Sequence, residues 1–71
     1  MNIEEARKLR VGSQVKCPED RGSAGFIGVV VHVGRIESKT TNGTPYMWVT
    51  VRNPYYQRAV WPTNRLSLVT L

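Results

Sequence analysis

Cysteine is nearly missing from this chain of 71 residues: Cys17 is the only one, so no disulfide can form within it and no cysteine-rich zinc site can be built. A reducing, cytoplasmic interior is the compartment this usage leads one to expect. Histidine is represented by His32 alone, and the acidic residues number five. A general base needs a nucleophile or carboxylate in reach and a metal needs several ligands, so neither catalysis nor a bound metal or cofactor is expected. No apolar run approaches the roughly 18 residues of a membrane span. The opening Met-Asn-Ile-Glu-Glu lacks the basic-then-apolar order of a secretory signal, and no membrane partner is expected. Repeats and low-complexity stretches are absent, so residues 1–71 read as a single domain.

What is present has the composition of a small folded globule, 41% hydrophobic and 21% charged. A domain of this size buries only about 60% of the surface its unfolded chain exposes, so a partner or a further copy of the chain would add stability. Ten Lys and Arg against five Asp and Glu give a net charge of +5. That balance favours nucleic acid or an acidic protein surface as partner. The excess is uneven. Glu4, Glu5, Glu19 and Asp20 nearly balance Arg7, Lys8, Arg10, Lys16 and Arg21, whereas Arg35, Lys39, Arg52, Arg58 and Arg65 face Glu37 alone.

Asn2 as N-cap with Glu5 three residues on makes a capping-box pattern, and Ile3, Ala6 and Leu9 recur on one face, so a short helix is expected to end near Gly12. Gln14 to Cys17 reads as a first strand with Val15 and Cys17 on one face, stopped by Pro18. Glu19 to Gly25 reads as a loop. Phe26 to Glu37 is the strongest strand signal, because Ile27, Val29, Val31 and Val33 alternate with Phe26, Gly28, Val30, His32 and Gly34. Ser38 to Pro45, with Asn42-Gly43, reads as a loop or hairpin end. Tyr46 to Asn53 reads as a third strand, Asn53-Pro54-Tyr55-Tyr56 as a turn, and Gln57 to Trp61 as a fourth strand ended by Pro62. Thr63-Asn64-Arg65 is a tight turn into a last strand over Leu66 to Val69.

This order resembles that of Src-homology-3-like barrels, and the expected fold is all-β: a five-stranded SH3-like barrel preceded by a short helical segment, residues 1–11, packed on it. Gly12-Ser-Gln-Val15 followed by Gly22-Ser-Ala-Gly25-Phe-Ile-Gly28-Val29-Val30 is similar to the KOW motif of ribosomal proteins and NusG-type elongation factors, with a different spacing before Gly25. That likeness implies binding of RNA or of protein surfaces, without catalysis. Ala59-Val60-Trp61-Pro62 with Leu66 and Val69 looks like the last strands of the plasmid-borne type II dihydrofolate reductases, small barrels that assemble as tetramers around a pore. Their Gln-Ile-Tyr triplet is replaced here by Ala59, Val60 and Trp61. The likeness therefore extends to fold and assembly, not to the reaction.

Strict alternation places Val15, Ile27, Val29, Val31, Met47, Val49 and Val51 inward, and Val30, His32, Tyr46, Trp48 and Arg52 outward. Outward Tyr46 and Trp48 beside Arg52 would form a stacking platform with phosphate partners. The candidate nucleic-acid-binding set is Arg35, Lys39, Tyr46, Trp48, Arg52, Arg58 and Arg65. The same aromatics, with Val30, would serve equally as an interface between copies of the chain or with another protein, or be covered by the N-terminal helix. Tyr55 and Tyr56 at the proline turn are further stacking candidates, set against a turn that packs its own rings.

Overall fold

The structure, a computed structural model, describes residues 1–19 and 24–69. It is mostly β, with one short helix and a five-stranded antiparallel sheet. The helix α1 spans Ile3–Arg7, and the strands are β1 (Gln14–Cys17), β2 (Phe26–Val33), β3 (Ser38–Lys39), β4 (Pro45–Tyr46), β5 (Trp48–Arg52), β6 (Arg58–Pro62) and β7 (Ser67–Leu68). The sheet runs in the order β6-β5-β2-β1-β7, and β3 and β4 form a separate hairpin. The centre of the expected Glu19–Gly25 loop, with the Gly22-Ser portion of the KOW-like pattern, lies outside the described residues.

The helix begins as its capping box dictates. Asn2 Oδ1 accepts from the Glu5 N–H at 2.8 Å, and the Glu5 carboxylate accepts from the Asn2 N–H at 3.1 Å. It stops earlier than expected, at Arg7 with Lys8 as C-cap. Gly12 serves the sheet instead: at a φ of +100° it turns the chain into β1, and its N–H donates to the Val30 carbonyl at 2.8 Å. Ala6 and Leu9 are buried, and α1 lies against β4 and the 3-10 turn Thr63–Arg65.

Three expected strands are shorter. The second ends at Val33, and the third is divided at Met47, whose carbonyl accepts from the Thr63 N–H at 2.8 Å while its own N–H donates to Thr63 Oγ1 at 3.0 Å. Thr63, a buried polar residue, is thereby satisfied. Tyr46, one residue before, pairs with Ser38 in the small hairpin. At the chain's other end the expected Leu66–Val69 strand shortens to Ser67–Leu68.

The inward face needs a larger correction. Val15, Cys17, Met47, Val49 and Val51 are buried as expected, but Val30 is buried too, while Ile27 is 53% exposed and Val29 and Val31 are half-buried. The cause is an irregularity in the pairing of β2 with β5 between Val30 and His32. Val30 pairs with Val51, His32 with Thr50 and Val33 with Val49, so Val31 is an extra residue and the inward set runs Phe26, Gly28, Val30, then Val33. Gly28 occupies the inward position opposite Val15, where a Cβ would collide with Val51 Cγ1 and come within 3.0 Å of the Arg52 carbonyl. Ile27 and Val29 consequently point outward.

Candidate nucleic-acid interface

The outward side of the sheet is built from rows of cross-strand neighbours. One row runs Gln14, Val29, Arg52, Arg58; the next holds His32, Thr50 and Val60; beyond it Trp48 faces Pro62; and on the other flank Lys16 faces Ile27. This face is mixed, basic at one end and aromatic at the other. Val60 is 61% and Trp48 45% exposed.

Arg52 and Arg58 are direct partners across β5 and β6. Hydrogen-bonded pairs alternate with non-bonded ones in an antiparallel ladder. The bonds Thr63 N–H to Met47 and Asn53 N–H to Gln57 fix the parity, which makes Arg52 and Arg58 a narrow, non-bonded pair with adjacent side chains. Two like charges there disfavour the sheet by about 0.2–1 kcal/mol. Among the described residues both ion pairs belong to Arg7, with Glu4 and Glu37, and no Asp or Glu follows Glu37 in the chain. The two guanidiniums therefore have no carboxylate among the described residues.

Arg52 is covered on one side by Tyr56, whose ring centroid lies 5.0 Å from the guanidinium carbon. Tyr56 is held there by a strained turn. Asn53 Oδ1 accepts from the N–H groups of Tyr55 and Gln57, both at 2.9 Å, and Tyr56 takes a left-handed conformation at φ +64°. That region is costly for a bulky side chain. Tyr55 and Tyr56 project from the turn, 83% and 76% exposed. A cleft of about 130 Å³ lies between Ile27, Val29, Arg52, Pro54 and Tyr56, and one of about 500 Å³ on the other side of the turn is lined by Gly25, Phe26, Tyr55 and Gln57.

The remaining expected site residues are dispersed. Arg35 donates to the carbonyls of Arg7 and Leu9, both at 3.0 Å, so it ties the end of α1 to the segment after β2. Lys39 stands on the β3–β4 hairpin, outside the main sheet. Tyr46 is half-buried on β4, edge-on to Trp48 with centroids 5.6 Å apart. The helix thus lies beside Tyr46 and leaves Trp48 exposed. Arg65 covers the ring of Trp61 at 5.5 Å. Trp61 faces inward, edge-on to Phe26, with its Nε1 buried and unpartnered. Val30 is closed to any partner. His32 is exposed opposite Thr50, and no cluster of three His, Cys, Asp or Glu occurs among the described residues.

Sequence reasoning missed Ile27 and Val29 on this face because it set β2 in the opposite phase, and it did not single out Lys16, although Val15 and Cys17 facing inward already turn Lys16 outward. It named Tyr56 as a stacking candidate without placing its ring over Arg52; the signal was Asn53-Pro54, an Asx-turn start that directs the following residues. No family model, curated protein or solved structure matches the chain.

Proposed function

We propose that the chain is a non-enzymatic binding module, an open small barrel of the Src-homology-3 kind, that takes single-stranded nucleic acid on the outward face of its sheet. The barrel reading is supported by the strand order β6-β5-β2-β1-β7 and by the 3-10 turn that leads from β6 into β7. The observation that carries the binding reading is the Arg52–Arg58 pair, adjacent like charges with no carboxylate among the described residues and with Tyr56 set over one of them. An arrangement that costs the sheet stability suits a site that awaits an anion. Exposed Tyr55, Tyr56 and Trp48 favour a single strand over a duplex, because unstacked bases can lie on their rings. Phosphates would meet Arg52, Arg58 and Lys16. Arg35, Lys39 and Arg65 are not part of this face.

Fluorescence anisotropy with a labelled oligothymidylate tests the reading across a salt series. With about three phosphates neutralised, log affinity falls against log salt with a slope of about −2. Arg58→Glu abolishes binding while leaving the fold as stable or more so, since it turns a repulsive pair into an attractive one. Absence of binding at low salt, or binding indifferent to salt, would end the proposal.

A further inference from the structure

We propose that the free edge of β6 is a strand-addition site for an extended peptide bearing an apolar residue followed, two positions later, by a carboxylate. This goes beyond the nucleic-acid reading: it shares Arg58 with that reading and otherwise rests on the backbone of β6 rather than on Arg52 and Tyr56.

The bonds of Thr63 to Met47 and of Gln57 to Asn53 sit at the two ends of the β5–β6 pairing, and the register between them is unbroken. Val49 with Trp61 and Val51 with Ala59 are then the bonded pairs, and Arg58, Val60 and Pro62 turn their backbone groups away from β5. Among the described residues β6 has β5 as its only paired strand, and no backbone bond reaches Arg58, Val60 or Pro62 from elsewhere. The edge thus offers the N–H and C=O of Arg58 and Val60 and the C=O of Pro62. Pro62 has no N–H to offer, and its nitrogen faces the free side, so its place in the strand costs no bond to β5.

Natural edges are usually blunted by charges, prolines or bulges placed along them, and on β6 Arg58 and Pro62 supply these only at the two ends. Here exposed Ala59 and Val60 stand between Arg58 and Pro62. An antiparallel peptide with one residue opposite Val60 places its residue two positions further on opposite Arg58. The first faces an exposed valine, which fits an apolar side chain. The second faces a guanidinium with no carboxylate among the described residues, which fits Glu or Asp. Charge complementarity selects this occupant over a second copy of a chain with net charge +5.

The test uses the whole chain, isotope-labelled, with a capped nine-residue peptide of Thr and Ser carrying Ile at its fifth position and Glu at its seventh. Saturable binding is expected, with exchange protection rising at the Arg58 and Val60 amides and unchanged at Ala59 and Trp61, whose amides are already paired. Val60→Pro removes a donor that β5 does not use and weakens the peptide about tenfold, with its folding checked by the retained amide spectrum. Arg58→Glu prefers the same peptide with Lys in place of Glu, a swap that needs no proline in the strand. Failure to saturate at millimolar peptide overturns the proposal. So does protection of the two amides by raised protein concentration alone, which assigns the edge to a second copy, or their protection by oligothymidylate. Loss of oligothymidylate binding in Arg52→Ala with peptide binding intact separates the two sites.

Discussion

Tyr56 is the residue at which fold and proposed function pull apart. Its left-handed backbone costs about 1–2 kcal/mol relative to glycine, while glycine gives back about 0.5–1 kcal/mol through the entropy of the unfolded chain. Tyr56→Gly is therefore expected to leave the domain between unchanged and about 1.5 kcal/mol more stable in urea melts. It also removes the ring over Arg52, and oligothymidylate affinity should fall about tenfold, the lower end of a lost base stack. A destabilised variant that binds normally would contradict the role given to this turn. Cys17 supplies a second expectation at this scale. Fully buried, its thiol is pushed up to about 11. The unfolded chain loses that proton near 8.5 and the folded chain only near 11, so the folded state binds more protons in between. Stability contributed by the neutral thiol is complete below that window and declines as pH rises through it, and a thiol reagent at pH 8 should modify Cys17 only on unfolding. Comparison of melts with Cys17→Ala at pH 8 and pH 10 checks the sign: the wild type should lose more between the two.

The element that most shaped the site is β2. Its alternation of Ile27, Val29 and Val31 is the strongest strand signal in the sequence, yet it names the wrong face, because Phe26 and Val30 make the opposite phase apolar too and period alone cannot say which side is dry. Gly28 decides the matter. A residue without a side chain reads as a poor core residue, but here the core is where β2, β5 and the ring of Phe26 come too close for any Cβ. The extra residue Val31 then restores inward direction to Val33, an event that depends on the pairing partner and leaves no local mark. By contrast, the capping box of α1 and the first strand were readable, since each depends on neighbours in sequence. Arg52 and Trp48 were placed outward correctly, whereas the use of Arg35 on the helix carbonyls required a contact across more than twenty positions of chain. Gly28→Ala is expected to destabilise by about 1–3 kcal/mol, the cost of forcing volume into a filled site. A chemical melt measures it, and a neutral result would show that β5 yields easily. Arg35→Ala should loosen α1 alone. Exchange should quicken at the Ala6 and Leu9 amides while the sheet amides keep their rates.

At the scale of the molecule, the charge of +5 is less informative than where its neutralising partners lie. Arg7 is held by Glu37 at 2.7 Å and Glu4 at 3.1 Å; Glu37 chiefly raises the Arg7 pKa, and the hydrogen bond from Arg7 holds the Glu37 carboxyl below its usual range. Arg7 is thus answered by its neighbours, and the cations after the helix segment include Lys16 on β1, Lys39 on the hairpin, Arg52 on β5, Arg58 on β6 and Arg65 in the 3-10 turn. Two explanations of anion binding then differ sharply. A diffuse positive field would respond to net charge wherever it is altered, whereas the outward face responds only to charge placed upon it. Lys39→Glu and Arg58→Glu make the same change, from +5 to +3, since each replaces a positive charge by a negative one. Lys39 belongs to the two-stranded hairpin and Arg58 to the five-stranded sheet. At 0.1 M salt, where screening acts over about 10 Å, contact dominates over field. Lys39→Glu should then weaken oligothymidylate no more than about threefold, and Arg58→Glu beyond detection. At 0.01 M salt the screening length grows to about 30 Å and the penalty of Lys39→Glu should increase. Equal losses from the two variants at 0.1 M salt would assign binding to the overall field and leave the Arg52–Arg58 pair without its proposed role.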